Sequence, residues 1–357
     1  MKSRGFSLVE LVSVLAVVTS VGAVLGPSVG KMRGQMQGVT SEGNLHMIGQ
    51  IGAMYSLDHE DRIFSFTWRA GVAYYDVVND RFRQYPDSQT AAAGQVRDIL
   101  ARATGRLSGP GQILRPGQRL MHRRYSHLVL ADYMGGSVTD PMWVDTADVN
   151  QLAWQNDEPF DQESYQESGV PYAFGVPDGF DNDLNWTDPT IMQLWPYASS
   201  YQVVPHAWQS DFGAQYAPNI FTPHLFSTTG SSPIVLGERR FVDVIFPSAK
   251  VHMFEEFDRE LAGSPYFAYD HARPAKLMFD GSINTAMSGL AASSVSPRDY
   301  LNGEKFVWEQ TYVPLDTFPL PLGGLGDLTD LNMRYRWTLG GLTGVDYPQV
   351  IMRGSGR

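Results

Sequence analysis

Residues 1–30 constrain this chain most. Residues 11–30 are 20 consecutive uncharged residues, long enough to cross a bilayer as a helix. Lys2 and Arg4 precede them, so the positive-inside rule leaves the N-terminus cytoplasmic. The expected location is a single pass through the inner (cytoplasmic) membrane, with the bulk of the chain as an extracytoplasmic, periplasmic head. Glu10 lies just inside the apolar run that begins at Phe6. A carboxylate at a membrane-helix centre costs about 2.5–3.5 kcal/mol, and less near an interface, so something must require it. An ordinary secretory signal would lack Glu10 and end in a small-x-small cleavage site. A plain uncleaved anchor gives no reason for Gly5-Phe6 or for Glu10.

Gly5-Phe6-Ser7-Leu8-Val9-Glu10 closely resembles the processing site of type IV prepilins and type II secretion pseudopilins. The resemblance implies that a prepilin peptidase/methylase cuts after Gly5 and methylates Phe6. It also implies that Glu10 pairs with the terminal amine of a neighbouring pilin-like subunit, a contact that the helix macrodipole supports. Pro27 falls 21 residues after Phe6, where many type IV pilins carry a helix-bending proline. The expected divisions are a basic leader (1–5), a transmembrane and assembly helix (6–26) and its continuation (27–58). The expected fold class is α+β, a long N-terminal transmembrane/pilin helix followed by a globular head with an antiparallel β-sheet.

Within 27–58, Val29, Met32, Met36 and Val39 fall three and four apart on one helical face. Leu45, Ile48, Gly52 and Tyr55 continue a stripe after a shift near Gly43. Six glycines (30, 34, 38, 43, 49 and 52) make this helix intrinsically weak, at about 1 kcal/mol each relative to Ala, so packing must hold it. Beyond it, 59–198 reads as a loop-rich α/β part of the head. Ile63–Trp68 is expected to be extended, and 88–104 to be a helix capped by Ser88 or Thr90. A short apolar helix is expected at Leu128–Met134. From 199 to 357 the chain reads as antiparallel sheet, with strands at 200–204, 233–236, 241–245, 250–254, 275–279, 305–313 and 333–338.

Two further constellations stand out. Asp178, Asp181 and Asp183 offer oxygen ligands at close spacing. They read as a solvated acidic turn or as a Ca²⁺ site, without the twelve-residue loop of an EF-hand. His271, Asp280 and Gly281 resemble the C-terminal His–nine residues–Asp-Gly domain of large prepilin-type proteins. Here eight residues separate His271 from Asp280. The two side chains are expected to flank one end of a hairpin, either as a plain turn or as a recognition site.

The remaining chemistry is sparse. The chain has no cysteine, which removes disulfides and thiolate metal sites. Its net charge is −11. Residues 1–58 carry four cations against three carboxylates, so the acidity belongs to the rest, against nucleic acid as a partner. Gly26-Pro27-Ser28-Val29-Gly30 matches a nucleophile-elbow string but lacks the strand-to-helix context. The eight histidines show no metal spacing. His252, Glu255 and Glu256 cannot all converge from one strand, because neighbours face opposite sides. The expectation is a non-enzymatic structural subunit, a minor pseudopilin of a type II secretion or type IV pilus-like assembly. The alternative is a tethered binding module that uses the Trp-rich 137–210 segment, with Ca²⁺ as an option.

Overall fold

The computed structural model describes residues 34, 36–109, 112–113, 125–148, 151–152, 155–156, 195–208, 236–261, 265–294 and 334–349. Helix α1 runs through residues 36–58. Its inward stripe is Ser41, Leu45, Ile48, Ile51, Gly52 and Tyr55, three and four residues apart as the 3.6-residue period requires. Glycine lets this face approach the sheet closely. A Cβ at Gly49 would lie 2.9 Å from Leu277 Cδ1, and one at Gly52 would lie 3.0 Å from the Phe64 ring.

Opposite α1 lies a four-stranded antiparallel sheet in the order β3-β4-β5-β6. Its strands are β3 (Tyr201–Val203), β4 (Val251–Glu255), β5 (Lys276–Met278) and β6 (Ile283–Asn284). Every residue of β4 is buried, as befits a strand covered on both faces. Its register pairs Tyr201 with Glu255 and Met253 with Leu277, with an irregularity between Val251 and Met253. A two-stranded hairpin, β1 (Ala73–Asp76) and β2 (Arg81–Gln84), precedes helix α2 (Ser88–Thr104). Asp87 caps α2 by accepting from the Thr90 N–H at 2.7 Å, and Gly105 ends it at φ 70°. This is the usual opening by an Asp and closing by a left-handed Gly.

Several expectations need correction. No helix among the described residues is long and apolar enough to cross a membrane. The fold class led by a long transmembrane pilin helix is therefore not what the described chain shows. The single-pass membrane location, the periplasmic head and the transmembrane and pilin descriptors that rested on that helix fall with it. The helix that is described, α1, lies in the expected continuation, 27–58, and is held to the fold by polar contacts. Gln37, Ser41 and Asn44 on its head-facing side form hydrogen bonds to the rest of the protein, so this helix is an amphipathic joint. Gly5, Phe6, Glu10 and Pro27 lie outside the described residues, as does the segment 6–26.

The expected strands at 241–245 and 333–338 are 3-10 turns, Phe241–Asp243 and Arg334–Trp337. In the first, the Arg240 N–H donates to Asp243 (3.0 Å) and the Val242 N–H to Asp61 (2.9 Å), contacts that bend the chain instead of extending it. The Leu128–Met134 helix is a 3-10 segment, Ser126–Met134. Leu236 sits in a turn, while 233–235 and 305–313 lie outside the described residues.

Candidate functional site at the helix–sheet seam

The densest chemistry lies where the first half of α1 meets the ends of β3 and β4. Glu255 closes β4. One of its carboxylate oxygens accepts from the Ala275 N–H at 2.8 Å, and the other accepts from the Ser41 hydroxyl of α1. Ser41 Oγ also lies 2.9 Å from the Tyr201 hydroxyl of β3. Asn44, one helical turn on, donates to that hydroxyl at 3.3 Å and to the Val144 carbonyl at 3.2 Å.

The third wall is the segment 140–148. Asp140 caps the 3-10 turn Pro141–Trp143 by accepting from the Met142 N–H at 2.9 Å. That turn delivers Asp145, fully buried, and Asp148. Arg259 donates to Asp145 at 3.3 Å and to Asp148 at 2.7 Å. Glu260 reaches back beside Gly38 of α1. Carboxylate oxygens of Asp145, Glu255 and Glu260 all lie within 4.8 Å of one another.

Burial, and then the charges of Asp145 and Glu260, push the Glu255 carboxyl well above its ordinary range. Burial and the charge of Asp145 raise Glu260 to about 7. Asp145 is also raised by burial, although Arg259 opposes the rise. Like charges in a poorly solvated space cannot all ionise. Protons shared among these carboxyls therefore do part of the neutralising. The three oxygens form a donor set of the kind hard cations take, but Arg259 already supplies positive charge there. Among the described residues this is the one group of three with metal-ligand spacing. Asp178, Asp181 and Asp183, the expected Ca²⁺ ligands, lie outside the described residues.

The structure separates the other sequence-predicted residues. His271 lies in the exposed turn before β5, while Asp280 and Gly281 form the turn after it. They therefore mark opposite ends of β5 rather than one end of a hairpin. Asp280 accepts from the Ser282 N–H at 3.0 Å, and Gly281 takes φ 83°, a conformation that favours glycine. His46 Nδ1 of α1 sits 3.3 Å from the Gly281 carbonyl, so the Asp-Gly turn touches the helix. His252 points away from Glu255 into an aromatic cage of Phe64, Phe241 and Phe279, where burial drives its pKa down to about 3.

Sequence reasoning missed Ser41, Asn44, Tyr201, Asp145, Arg259 and Glu260. Their signal was weak, consisting of polar residues on the inward stripe of α1 and an acidic run after β4. The outward face of α1 carries Met36, Val39, Met47, Met54 and Leu57. All are exposed, Met36 and Val39 at 69% and Leu57 at 84%. Met36 and Val39, placed on one stripe from sequence, thus face away from the head. No family model, no curated protein and no solved structure matches the chain.

Proposed function

We propose that the chain is a structural subunit of a pilin-like assembly and that the outward face of α1 is its lateral contact. One observation carries the proposal. α1 has two apolar faces, one locked to the sheet and one exposed over six turns of helix. Met36, Val39, Met47, Met54 and Leu57 recur three, seven or eight residues apart, the spacing of a helix that packs on a second helix. A monomer gains nothing from such a stripe, whereas a neighbouring copy or a related chain would bury it. Gly5-Phe6 and Glu10 support the same reading, with cleavage after Gly5 by a prepilin peptidase/methylase. The proposal does not depend on the chain crossing a bilayer.

The absence of cysteine makes the test clean. Met47→Cys and Met54→Cys each introduce a unique thiol on the outward face, and Gln50→Cys adds a third at the same stripe. Under oxidation in the producing cell, disulfide-linked dimers or adducts with a related chain are expected from these positions. Leu57→Lys should reduce them. Uniformly monomeric protein from all three variants would sink the proposal. Intact mass and N-terminal sequencing test the processing step separately, with N-methyl-Phe6 expected as the first residue.

A further inference from the structure

A second feature stands apart from the seam and from the outward stripe of α1. A cavity of about 610 Å³ opens between the end of α1, helix α2 and the 3-10 segment Ser126–Met134, within the size range of small-ligand sites. Its floor is apolar, from Ile99, Leu128 and Ala131, Trp68 adds an aromatic face, and His59 lines it while stacked on the buried Tyr55 ring at 4.0 Å.

Trp68 is held in place before any ligand arrives. Tyr74 stacks on it with ring centroids 4.5 Å apart and planes 4° apart. The Thr67 and Trp68 N–H groups both donate to Gln95 Oε1 of α2, at 2.7 and 3.0 Å. The rim is charged unevenly. Asp98 accepts from Arg102 Nε at 2.7 Å, so that pair cancels. Asp132 is exposed beside it and leaves the rim with a net negative charge. Its neighbour Tyr133 donates to Asp58 at 2.9 Å. Burial first, and then that hydrogen bond and the charges of Asp58 and Asp132, push the Tyr133 hydroxyl up to about 12.

We infer that this cavity binds an alkylammonium group, with the cation between the Trp68 ring and Asp132 and the alkyl stem on the apolar floor. A fixed aromatic face attracts a cation through its quadrupole, and an adjacent carboxylate adds direct charge attraction. A neutral sugar would use the Asp98–Arg102 fork and would not sense the excess charge. An anion would be repelled by Asp132. The shared chemistry has two sources, a lysine side chain on another protein and a free small amine.

The test is calorimetric titration of the full chain with the peptide Gly-Gly-Lys-Gly and with n-butylammonium. Binding of the peptide alone assigns the site to a lysine side chain on a protein. Binding of both at similar strength assigns it to small amines. Either result supports the inference if affinity falls with added salt. Asp132→Asn should weaken binding about threefold to tenfold. Arg102→Gln should strengthen it about threefold, because it removes the Arg102 charge that opposes Asp98 and Asp132 on the rim. Both side chains are surface groups, so folding is not at risk. Trp68→Leu, checked for native circular dichroism, should weaken binding about tenfold. Absence of binding by either probe, equal binding of the lysine-acetylated peptide, or weaker binding by Arg102→Gln would overturn the inference.

Discussion

The two ends of β4 bury charge in opposite ways. At its start, Lys250 Nζ lies 3.2 Å from Asp346, with neither side chain more than 2% exposed. Thr338 bonds to both partners, and Asp346 also accepts from the Val251 N–H at 2.8 Å. Charge and hydrogen bonds balance there. At its end, Glu255 meets Asp145 and Glu260, and Arg259 is the cation that answers them. One end is closed by pairing, while the other depends on protonation. A buried pair costs desolvation that its own attraction repays. An unbalanced cluster shifts its pKa values instead. The same five-residue strand therefore has one anchor closed by an opposite charge, where Lys250 opposes the rise that burial imposes on Asp346, and one closed by shared protons, and the second is where α1 docks.

The largest effect is expected at the closed end. Asp346→Ala leaves Lys250 buried without its counter-ion and should cost about 3–5 kcal/mol in chemical denaturation. The double change Lys250→Met with Asp346→Leu should recover most of that loss. If the single variant were nearly neutral, the pair would not be the anchor that its geometry describes.

Glu260→Gln sharpens the contrast through pH. The Glu260 carboxyl is raised from 4.5 to about 7 in the fold. A raised carboxyl contributes stability that is fully present below the unfolded pKa and is lost as pH rises through the folded pKa. The difference in stability between wild type and Glu260→Gln should therefore drift by about 2 kcal/mol between pH 4.5 and 7, less than the full linkage value because the group is partly exposed. The wild type should lose ground over that window. Parallel curves would remove the pH-sensitive end from the comparison.

Midway along β4, His252 should act with the opposite sign. Its pKa is lowered to about 3 among Phe64, Phe241 and Phe279, so its contribution is present above pH 6.5 and is lost as pH falls. His252→Phe should gain about 1–2 kcal/mol over wild type at pH 5 and little at pH 7.5. Thermal melts at the two pH values decide it. A constant offset would mean that the imidazole takes up its proton in the fold as readily as in the unfolded chain.

How legible these regions were in sequence follows the reach of their contacts. α2 was legible over its full length, Ser88–Thr104, because its pattern and stops are local. Its cap was expected at Ser88 or Thr90 and is Asp87, since Asp, Ser and Thr are all good cap residues. The inward stripe of α1 was readable from Leu45, Ile48 and Tyr55, and β4 and β5 were readable from their apolar runs. Phe241–Asp243 and Arg334–Trp337 were misread as strands. A short apolar-polar alternation has no length with which to distinguish extended chain from a 3-10 turn. The seam was not legible at all. Ser41 and Glu255 are 214 residues apart and Asn44 and Val144 are 100 apart, and an isolated Glu or Ser reads as solvated surface. What the sequence carried most loudly, Gly5-Phe6 and Glu10, lies outside the described residues. Its implied membrane helix has no counterpart among them.

The smallest expected effect is the most informative. Glu255→Gln fixes the uncharged form at the open end of β4, whereas Asp346→Ala removes one partner of the ion pair at the closed end. Burial and the neighbouring carboxylates push the Glu255 carboxyl well above its ordinary range, which favours its protonated, uncharged form. Glutamine keeps that size and that hydrogen-bonding capacity toward Ser41 and the Ala275 N–H. Stability at pH 7 should therefore change by less than about 1 kcal/mol, the scale of one rearranged hydrogen bond. The docking of α1, read by hydrogen exchange at Leu45 and Ile48, should be unchanged. A loss comparable to that of Asp346→Ala would mean that Glu255 is ionised and paired, and that both ends of the strand are closed by the same device. A gain at pH 8 relative to pH 5 would mean that Glu255 also gives up its proton over that window, as Glu260 does, and would locate a pH-sensitive contact directly beneath Ser41 of α1.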